Sequence, residues 1–166
     1  MLVAIISDIH DNLANLKTCL AWLKKNKIEK IICLGDVTTI DTIDYLAANF
    51  NKEIILIKGN CEIYDETSLV KYKNLNYCGE IGITEVDGIR IGMCHQRYKI
   101  IKVLELSHQP LEFIFYGHSH KPWIENRNKS YLANPGNLAG VFHQATFATL
   151  DTKTKKLELK VIANLT

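Results

Sequence analysis

The chain has 166 residues, with 20 Lys and Arg against 18 Asp and Glu, and a formal net charge of +2. Apolar residues make up 47% of the sequence and charged residues 23%, both near the averages of globular domains. This composition excludes a disordered chain, a fibrous repeat and a disulfide-stapled miniprotein, and the length fits a single domain over residues 1–166. The near-neutral charge is not typical of proteins that bind nucleic acid, so we expect no nucleic-acid partner.

The N-terminal segment and the cysteines indicate a compartment. Leu2–Ile6 is apolar over too few residues for a signal peptide or a membrane span, so we predict a buried strand there and no membrane partner. The five cysteines are an odd number without CxxC spacing, which favours reduced thiols and a cytoplasmic protein. Cys19 and Cys33 lie within apolar patterns and are expected to pack in the core.

The first half of the chain alternates short apolar runs with helical periodicity. We predict, in chain order, strand Leu2–Ile6, helix Asn12–Lys27, strand Lys30–Leu34, helix Ile40–Phe50 and strand Glu53–Lys58. Asp11 or Asn12 is the expected N-cap of the first helix, whose buried face would consist of Leu13, Leu16, Leu20 and Leu23. The inward face of the second helix would consist of Ile43, Leu46 and Ala47. Continuous apolar strands joined by helices are typical of a parallel sheet buried on both faces.

The second half is typical of antiparallel pairing. Asp87-Gly88, between Ile83–Val86 and Ile89–Met93, is a strong hairpin signal. The remaining predicted elements are helix Tyr98–Leu106, strand Phe113–Tyr116, and two strand pairs, Trp123–Glu125 with Ser130–Ala133 and Thr146–Leu150 with Leu157–Ile162. The whole pattern predicts one α/β domain with two packed sheets and helices outside.

Polar side chains follow five of the predicted strands at the point where each strand ends. Ser7-Asp8-Ile9-His10 follows the first strand, Gly35-Asp36 the second and Gly59-Asn60-Cys61 the third. Two later strands are followed by Cys94-His95 and by Gly117-His118-Ser119-His120. Since ligands of α/β sheets bind beyond the carboxyl ends of the strands, we expect these side chains to converge on one site.

The residue types at these strand ends predict a metal site. The candidate ligands are Asp8, His10, Asp36, Asn60, His95, His118 and His120. Mixed imidazole and carboxylate ligands suit divalent ions such as Mn, Fe, Co, Ni or Zn, and the scarcity of thiolates argues against a Cys-rich structural zinc site. Seven ligands exceed what one ion needs, whereas two ions that share a carboxylate would use them all.

The order Asp-x-His, Gly-Asp, Gly-Asn, His and Gly-His-x-His resembles the calcineurin-like metallophosphoesterases, and most closely their small single-domain bacterial and archaeal phosphodiesterases. The resemblance runs from Asp8 to the turn Asn134-Pro135-Gly136-Asn137. It implies a single metallophosphoesterase domain, built as a four-layer α/β/β/α sandwich of two mixed sheets flanked by helices. A homodimer would be common for such a protein, although no residue pattern here demonstrates one.

The resemblance also implies a role for each ligand. One ion would be bound by Asp8, His10, Asp36 and His120. The second would be bound by Asp36, Asn60, His95 and His118, with Asp36 as the bridge. Manganese is the expected ion, with Ni, Co, Fe, Zn or Mg as alternatives. A hydroxide between the two ions would attack the phosphorus of a small phosphate ester in line, and the catalytic residues of this scheme are Asp36, Asn60 and His95.

Three further residues are candidates for substrate contact. Cys61 stands where many relatives have a histidine that serves the leaving group, so the proton donor would come from elsewhere; a nucleophilic Cys61 is the weaker alternative. Arg97 replaces a family histidine and would either bind a substrate phosphate or face solvent. Asn12 would either lie near the phosphate or cap the first helix. The turn at 134–137 is expected to brace the site, and His143 to be a structural or surface residue.

Two classes of function are compatible with these residues. The leading hypothesis is a metal-dependent phosphodiesterase or phosphatase. The alternative is a non-catalytic protein-interaction scaffold, because the same fold resembles the retromer subunit of membrane trafficking. Loss of histidine ligands usually accompanies that role, and all seven ligand positions are filled here, which favours the enzyme. An exposed apolar patch away from the ligands would favour the scaffold.

Overall fold

The computed structural model describes residues 1–127 and 129–165. The strands of this part are β1 Leu2–Ile6, β2 Lys30–Cys33, β3 Glu53–Leu56, β4 Leu75–Tyr77, β5 Ile81–Val86, β6 Ile89–Cys94, β7 Phe113–Phe115, β8 Trp123–Arg127, β9 Ser130–Asn134, β10 Thr146–Asp151 and β11 Lys156–Val161. The α-helices are α1 Leu13–Lys25, α2 Ile40–Asn49 and α3 Ile100–Leu106. Asn128, in the turn expected between β8 and β9, lies outside the described residues.

The first sheet has six strands in the order β11-β10-β1-β2-β3-β4. Strands β1 to β4 run parallel, with Val3 opposite Lys30 and Ile54 opposite Leu75. Strand β10 is antiparallel to β1, and β11 pairs antiparallel with β10. The predicted parallel start and hairpin finish of the chain therefore lie in the same sheet, which is mixed.

The second sheet has five strands in the order β5-β6-β7-β9-β8. The predicted hairpin joins β5 and β6, while β7 runs parallel to both β6 and β9. Strand β8 pairs antiparallel with β9, as expected for the segments around Trp123 and Tyr131. This sheet is also mixed.

Three apolar cores show that the molecule has four layers. Val3 and Ile32 of the first sheet pack with Phe113 and Phe115 of the second in one buried cluster between the sheets. A second cluster lies between the first sheet and helices α1 and α2, and a third lies between the second sheet and α3. A Cβ on Gly92 would lie 2.5 Å from Val103 Cγ1, so this glycine allows α3 to approach the sheet. The predicted α/β/β/α sandwich is confirmed.

Some local predictions need correction. Leu13 was expected on the buried face of α1 but is 43% exposed, because it is the first residue of the helix, ahead of the turn whose Leu16 is buried. The predicted helix Tyr98–Leu106 is split into a 3₁₀ turn, Arg97–Lys99, and α3. Strand β4 was not predicted, because Leu75–Tyr77 is only three residues long and half exposed. Among the described residues, no helix has the length and apolarity that a membrane crossing requires.

Candidate metal centre

Two groups of side chains converge where β1, β2, β6 and β7 end. The first group is Asp8, His10 and His120; the second is Asp36, His95 and His118. Within each group the possible ligand atoms lie within 4.8 Å of one another. The structure thus brings six of the seven predicted ligands into two adjacent clusters. Asp36, which was expected to serve both ions, belongs to the second cluster, and Asn60 belongs to neither.

One carboxylate oxygen of Asp8 accepts hydrogen bonds, and the other has no hydrogen-bond partner. Its Oδ2 accepts hydrogen bonds from the hydroxyl of Ser7 and from the N–H of His118 at 3.1 Å. Its Oδ1 is buried without a hydrogen-bond partner, 3.3 Å from His120 Nε2 and 3.9 Å from His10 Nε2. A buried carboxylate oxygen with no donor is costly unless a cation compensates it.

Asp36 is held in the same way and lies between the two clusters. Its Oδ1 accepts from the N–H groups of Asn60 at 2.7 Å and Cys61 at 2.9 Å. Its Oδ2 lies 3.2 Å from His95 Nε2 and 3.7 Å from His10 Nε2. Burial opposes ionisation of Asp36, but His95 and two backbone N–H groups outweigh it and hold the pKa of this carboxyl well below its usual range. An ionised oxygen therefore faces one histidine of each cluster.

The imidazoles are oriented by backbone carbonyls. His95 Nδ1 lies 2.7 Å from Leu34 O, and His120 Nδ1 lies 3.3 Å from Val141 O. Because a carbonyl only accepts, each Nδ1 must donate, which leaves Nε2 of the neutral ring without a proton. His95 Nε2 is buried without a hydrogen-bond partner. His10 Nε2 and His120 Nε2 are 3.2 Å apart, a convergence that a shared cation would stabilise.

The backbone around these side chains is strained. Five of the seven candidate ligands have a positive φ: Asp8, His10, Asp36, His118 and His120. Such conformations are uncommon for residues other than glycine, and each costs on the order of 1–3 kcal/mol. Their concentration at strand ends that carry metal-ligating side chains is typical of a functional site.

Glycines and the 134–137 turn permit this geometry. A Cβ on Gly59 would lie 2.1 Å from Asp36 Oδ1, and one on Gly117 would lie 2.0 Å from Ser7 Oγ. Asn134 donates to Gly117 O at 2.8 Å, and Asn137 donates to His120 O at 3.1 Å. The expectation that this turn braces the site is confirmed, since it holds the backbone on both sides of His118.

The donor set fits divalent cations. Two carboxylate oxygens and the Nε2 atoms of at least two oriented histidines face a common space, and two of these buried atoms, Asp8 Oδ1 and His95 Nε2, have no hydrogen-bond partner. Imidazole nitrogen and carboxylate oxygen are ligands of Mn, Fe, Co, Ni and Zn. The residues that could hold such ions are the two clusters described above.

Asn60 and Cys61 lie beside these clusters. The side chain of Asn60 is exposed, and its Nδ2 donates to Cys61 Sγ at 3.2 Å, so its role as a ligand stays a prediction. Cys61 Sγ lies within 4.8 Å of donor atoms of His10 and Asp36. Burial, reinforced by the Asp36 carboxylate, raises the pKa of the Cys61 thiol to about 11. The thiol is therefore neutral near pH 7, which does not favour the nucleophilic role.

Asn12 and Arg97, the other two residues predicted to contact substrate, both interact with other parts of the protein. Asn12 caps α1 by accepting from Asn15 N at 3.0 Å, and its Nδ2 donates to Ala139 O at 2.9 Å. The prediction that it is a helix cap is confirmed, and its contact with substrate stays a prediction. Arg97 is half exposed and forms an ion pair with Glu125 at 2.7 Å, beside His118.

The sequence analysis missed the role of Asp11. Its Oδ1 accepts from Thr39 N at 3.1 Å, Thr39 Oγ1 at 2.8 Å and Thr42 Oγ1 at 2.6 Å. Asp11 therefore caps α2 and not α1, and it ties the His10 loop to the segment that follows Asp36. No local pattern indicated this role, because Thr39 and Thr42 lie far from Asp11 along the chain.

Comparison with known proteins identifies the family. Residues 1–155 match the calcineurin-like phosphoesterase superfamily domain, so the chain belongs to this superfamily. Phosphodiesterase MJ0936 of Methanocaldococcus jannaschii is 24% identical over 162 residues, which cover 94% of this chain and 96% of that protein. The predicted relationship to small phosphodiesterases is confirmed.

Solved structures show the same fold. A novel archaeal phosphodiesterase superposes with a TM-score of 0.86 at 23% identity, covering 97% of this chain and 99% of that one. YfcE, a phosphoesterase of Escherichia coli, gives 0.71 at 19% identity, with coverage of 98% and 100%. Vps29 of Entamoeba histolytica, complexed with Zn²⁺, gives 0.70 at 18% identity, with coverage of 98% and 99%.

Proposed function

We propose that this protein is a metal-dependent phosphodiesterase that hydrolyses a small phosphate ester at a site for two divalent cations. The observation that carries the proposal is the position of Asp36. One of its oxygens is saturated by backbone N–H groups, and the other faces His10 of one cluster and His95 of the other. This is the arrangement that a carboxylate shared by two cations requires.

The candidate ligands would bind the two cations as follows. Asp8, His10 and His120 hold one cation, His95, His118 and Asn60 hold the other, and Asp36 holds both. Two cations so held would supply Lewis acidity toward phosphate oxygens and would activate a water as the nucleophile. Asp36, Asn60 and His95 are proposed as the catalytic residues of this site. We propose Mn²⁺ as the first ion to test, with Ni, Co, Fe, Zn and Mg as alternatives.

The preformed geometry is itself part of the proposed catalysis. Ser7 and the N–H of His118 fix Asp8, and two N–H groups fix Asp36. Donors and acceptors that are already in place need little reorganisation during the reaction. Neutral Cys61 and the cap Asn12 lie at the edge of the site, where substrate contact is proposed for both. The cytoplasmic location and the homodimer stay predictions.

The test uses protein stripped of metal with a chelator. Hydrolysis of bis(p-nitrophenyl) phosphate and of p-nitrophenyl phosphate is recorded without metal and with Mn, Ni, Co, Mg or Zn. We expect metal-dependent turnover, faster for the diester than for the monoester, as a phosphodiesterase requires. Both esters release p-nitrophenolate, a good leaving group that departs without a proton donor. No turnover of either ester with any of these ions would contradict the proposal.

The scaffold alternative has one observation in its favour. Helix α3 and the turn before it expose Tyr98 (70%), Ile101 (66%) and Leu104 (51%) away from the metal clusters. An exposed apolar patch of this kind is typical of a protein-interaction surface. Metal-dependent turnover in the test above would contradict a non-catalytic scaffold, whereas its absence would favour one.

A further inference from the structure

A groove extends from the metal clusters along the second sheet. It has a volume of about 420 Å³ and is lined by Arg97, Tyr116, His118, Lys121, Trp123 and His143. His118 is one of the candidate metal ligands, so the groove begins where the reacting phosphate would be held. A phosphodiester carries two organic groups, of which hydrolysis releases one; the other, the retained group, stays bonded to phosphorus.

Trp123 is the feature of this groove that packing does not explain. It is 49% exposed, and among the described residues it belongs to none of the three apolar cores. An indole is a large apolar surface with a single donor, and its exposure beside a site is typical of ligand binding. Tyr116, by contrast, is 3% exposed and only lines the floor.

The backbone that carries Trp123 is also held in place. Trp123 begins β8 directly after Pro122, and it pairs with Asn134 of β9. Asn134 in turn donates to Gly117 O and to Ser119 Oγ, on either side of His118. The backbone of Trp123 is therefore linked through Asn134 to the loop that carries His118. Preorganisation of this kind reduces the cost of ordering a binding surface.

The charge of the groove suits an anionic ester with an uncharged organic group. Lys121 Nζ lies 5.6 Å from the centroid of the Trp123 ring. The Arg97 guanidinium is already paired with Glu125, so its charge is compensated. Lys121 adds positive charge beside the indole, which attracts an anionic ester, and the indole offers a planar apolar surface for an aromatic ring.

We infer that Trp123 selects phosphodiesters whose retained group is aromatic, as in aryl or nucleoside phosphodiesters, by stacking with that ring. The inference rests on the proposed function and adds the class of its substrate. Trp123 is the residue that determines specificity, and Lys121 positions it.

The test compares three diesters that share p-nitrophenolate as the leaving group and have methyl, cyclohexyl or phenyl as the retained group. The measured quantity is the ratio of kcat/KM for phenyl to that for cyclohexyl, because the two groups match in size and differ in planarity. We expect Trp123→Leu to lower this ratio by roughly 3- to 10-fold, and Trp123→Phe to restore most of it.

Ile124→Ala is the matched control. Ile124 is the next residue on β8 and is 53% exposed, but it does not line the groove. We expect this variant to hydrolyse all three esters like the unaltered protein. An unchanged ratio in Trp123→Leu, or an equal fall in Ile124→Ala, would overturn the inference. No metal-dependent hydrolysis of even the methyl ester would instead contradict the proposed function.

Discussion

Asp36 Oδ2 lies 3.2 Å from His95 Nε2, in a position where both side chains are almost completely buried. The other oxygen of Asp36 and the other nitrogen of His95 are each bonded to the backbone. The two free atoms therefore face each other, and a charged oxygen in this setting requires a positive partner.

Replacement of Asp36 should remove both ions, because it is the one residue proposed to bind both of them. We expect Asp36→Ala to bind no Mn²⁺ after dialysis and to lose turnover on the order of 10³-fold, since several kcal/mol of stabilisation of the transition state disappear. Elemental analysis and hydrolysis assays measure the two effects. Asp36→Asn, which keeps the acceptor for the two N–H groups, controls for misfolding. Two ions per chain in Asp36→Ala would show that Asp36 is not the bridge.

Gly59 should be essential because its α-carbon lies against Asp36. A Cβ there would lie 2.1 Å from Asp36 Oδ1 and 2.3 Å from Asp36 N, so Gly59→Ala must displace the carboxylate or the loop. We expect weaker Mn²⁺ binding and a loss of about 1–3 kcal/mol in the free energy of unfolding. Gly79→Ala is the control for Mn²⁺ binding, because a Cβ on Gly79 meets nothing within 4 Å, so that this variant tests only the backbone cost of an alanine at a positive φ. Equal Mn²⁺ affinity in the two variants would contradict this account.

Asp11 should stabilise the fold through α2. Asp11→Ala removes the acceptor of Thr39 and of Thr42, whose side chain is buried, and we expect the free energy of unfolding to fall by about 1–3 kcal/mol in urea titrations. Asp41→Ala, an exposed carboxylate in the first turn of the same helix, is the control and should change stability by less than about 0.5 kcal/mol. Similar losses in the two variants would argue against the cap.

Asp44 should make stability depend on pH. The Tyr72 hydroxyl donates to Asp44 Oδ1 at 2.7 Å and Lys71 Nζ lies 3.2 Å away; together they lower the pKa of Asp44. A lowered pKa in the folded state stabilises the fold above the ordinary aspartate pKa, and this contribution is lost as the pH falls through the lowered value. We expect Asp44→Asn to have a lower Tm than the unaltered protein at pH 7. The difference should shrink toward zero in acid, and a difference that grows in acid would contradict the assignment.

The sequence predicts the candidate site better than it predicts the supports of that site. The clustering of the candidate ligands could be predicted because each follows an apolar strand, and the ends of neighbouring strands in a sheet meet in space. Asp11 could not be assigned to α2, because its partners Thr39 and Thr42 lie 28 and 31 residues further along the chain. Contacts over such distances depend on the folded arrangement of loops, which local patterns do not contain.

In the fold, too, the elements that depend on local sequence could be predicted, whereas those that depend on distant contacts could not. Apolar runs and the Asp87-Gly88 turn predict most strands, and the helices follow from periodicity. Strand β4 carries no apolar run of its own and forms because β3 offers it a free edge. The exposure of Trp123 could not be predicted either, because its neighbours in the groove come from three separate segments of the chain.

The central claim is that two divalent cations make this protein a phosphodiesterase. The most direct measurement is the rate of bis(p-nitrophenyl) phosphate hydrolysis by metal-free protein as Mn²⁺ is added in known equivalents. We expect no turnover without metal and a rate that saturates at two ions per chain. Full turnover without metal, or saturation at one ion per chain, would contradict it.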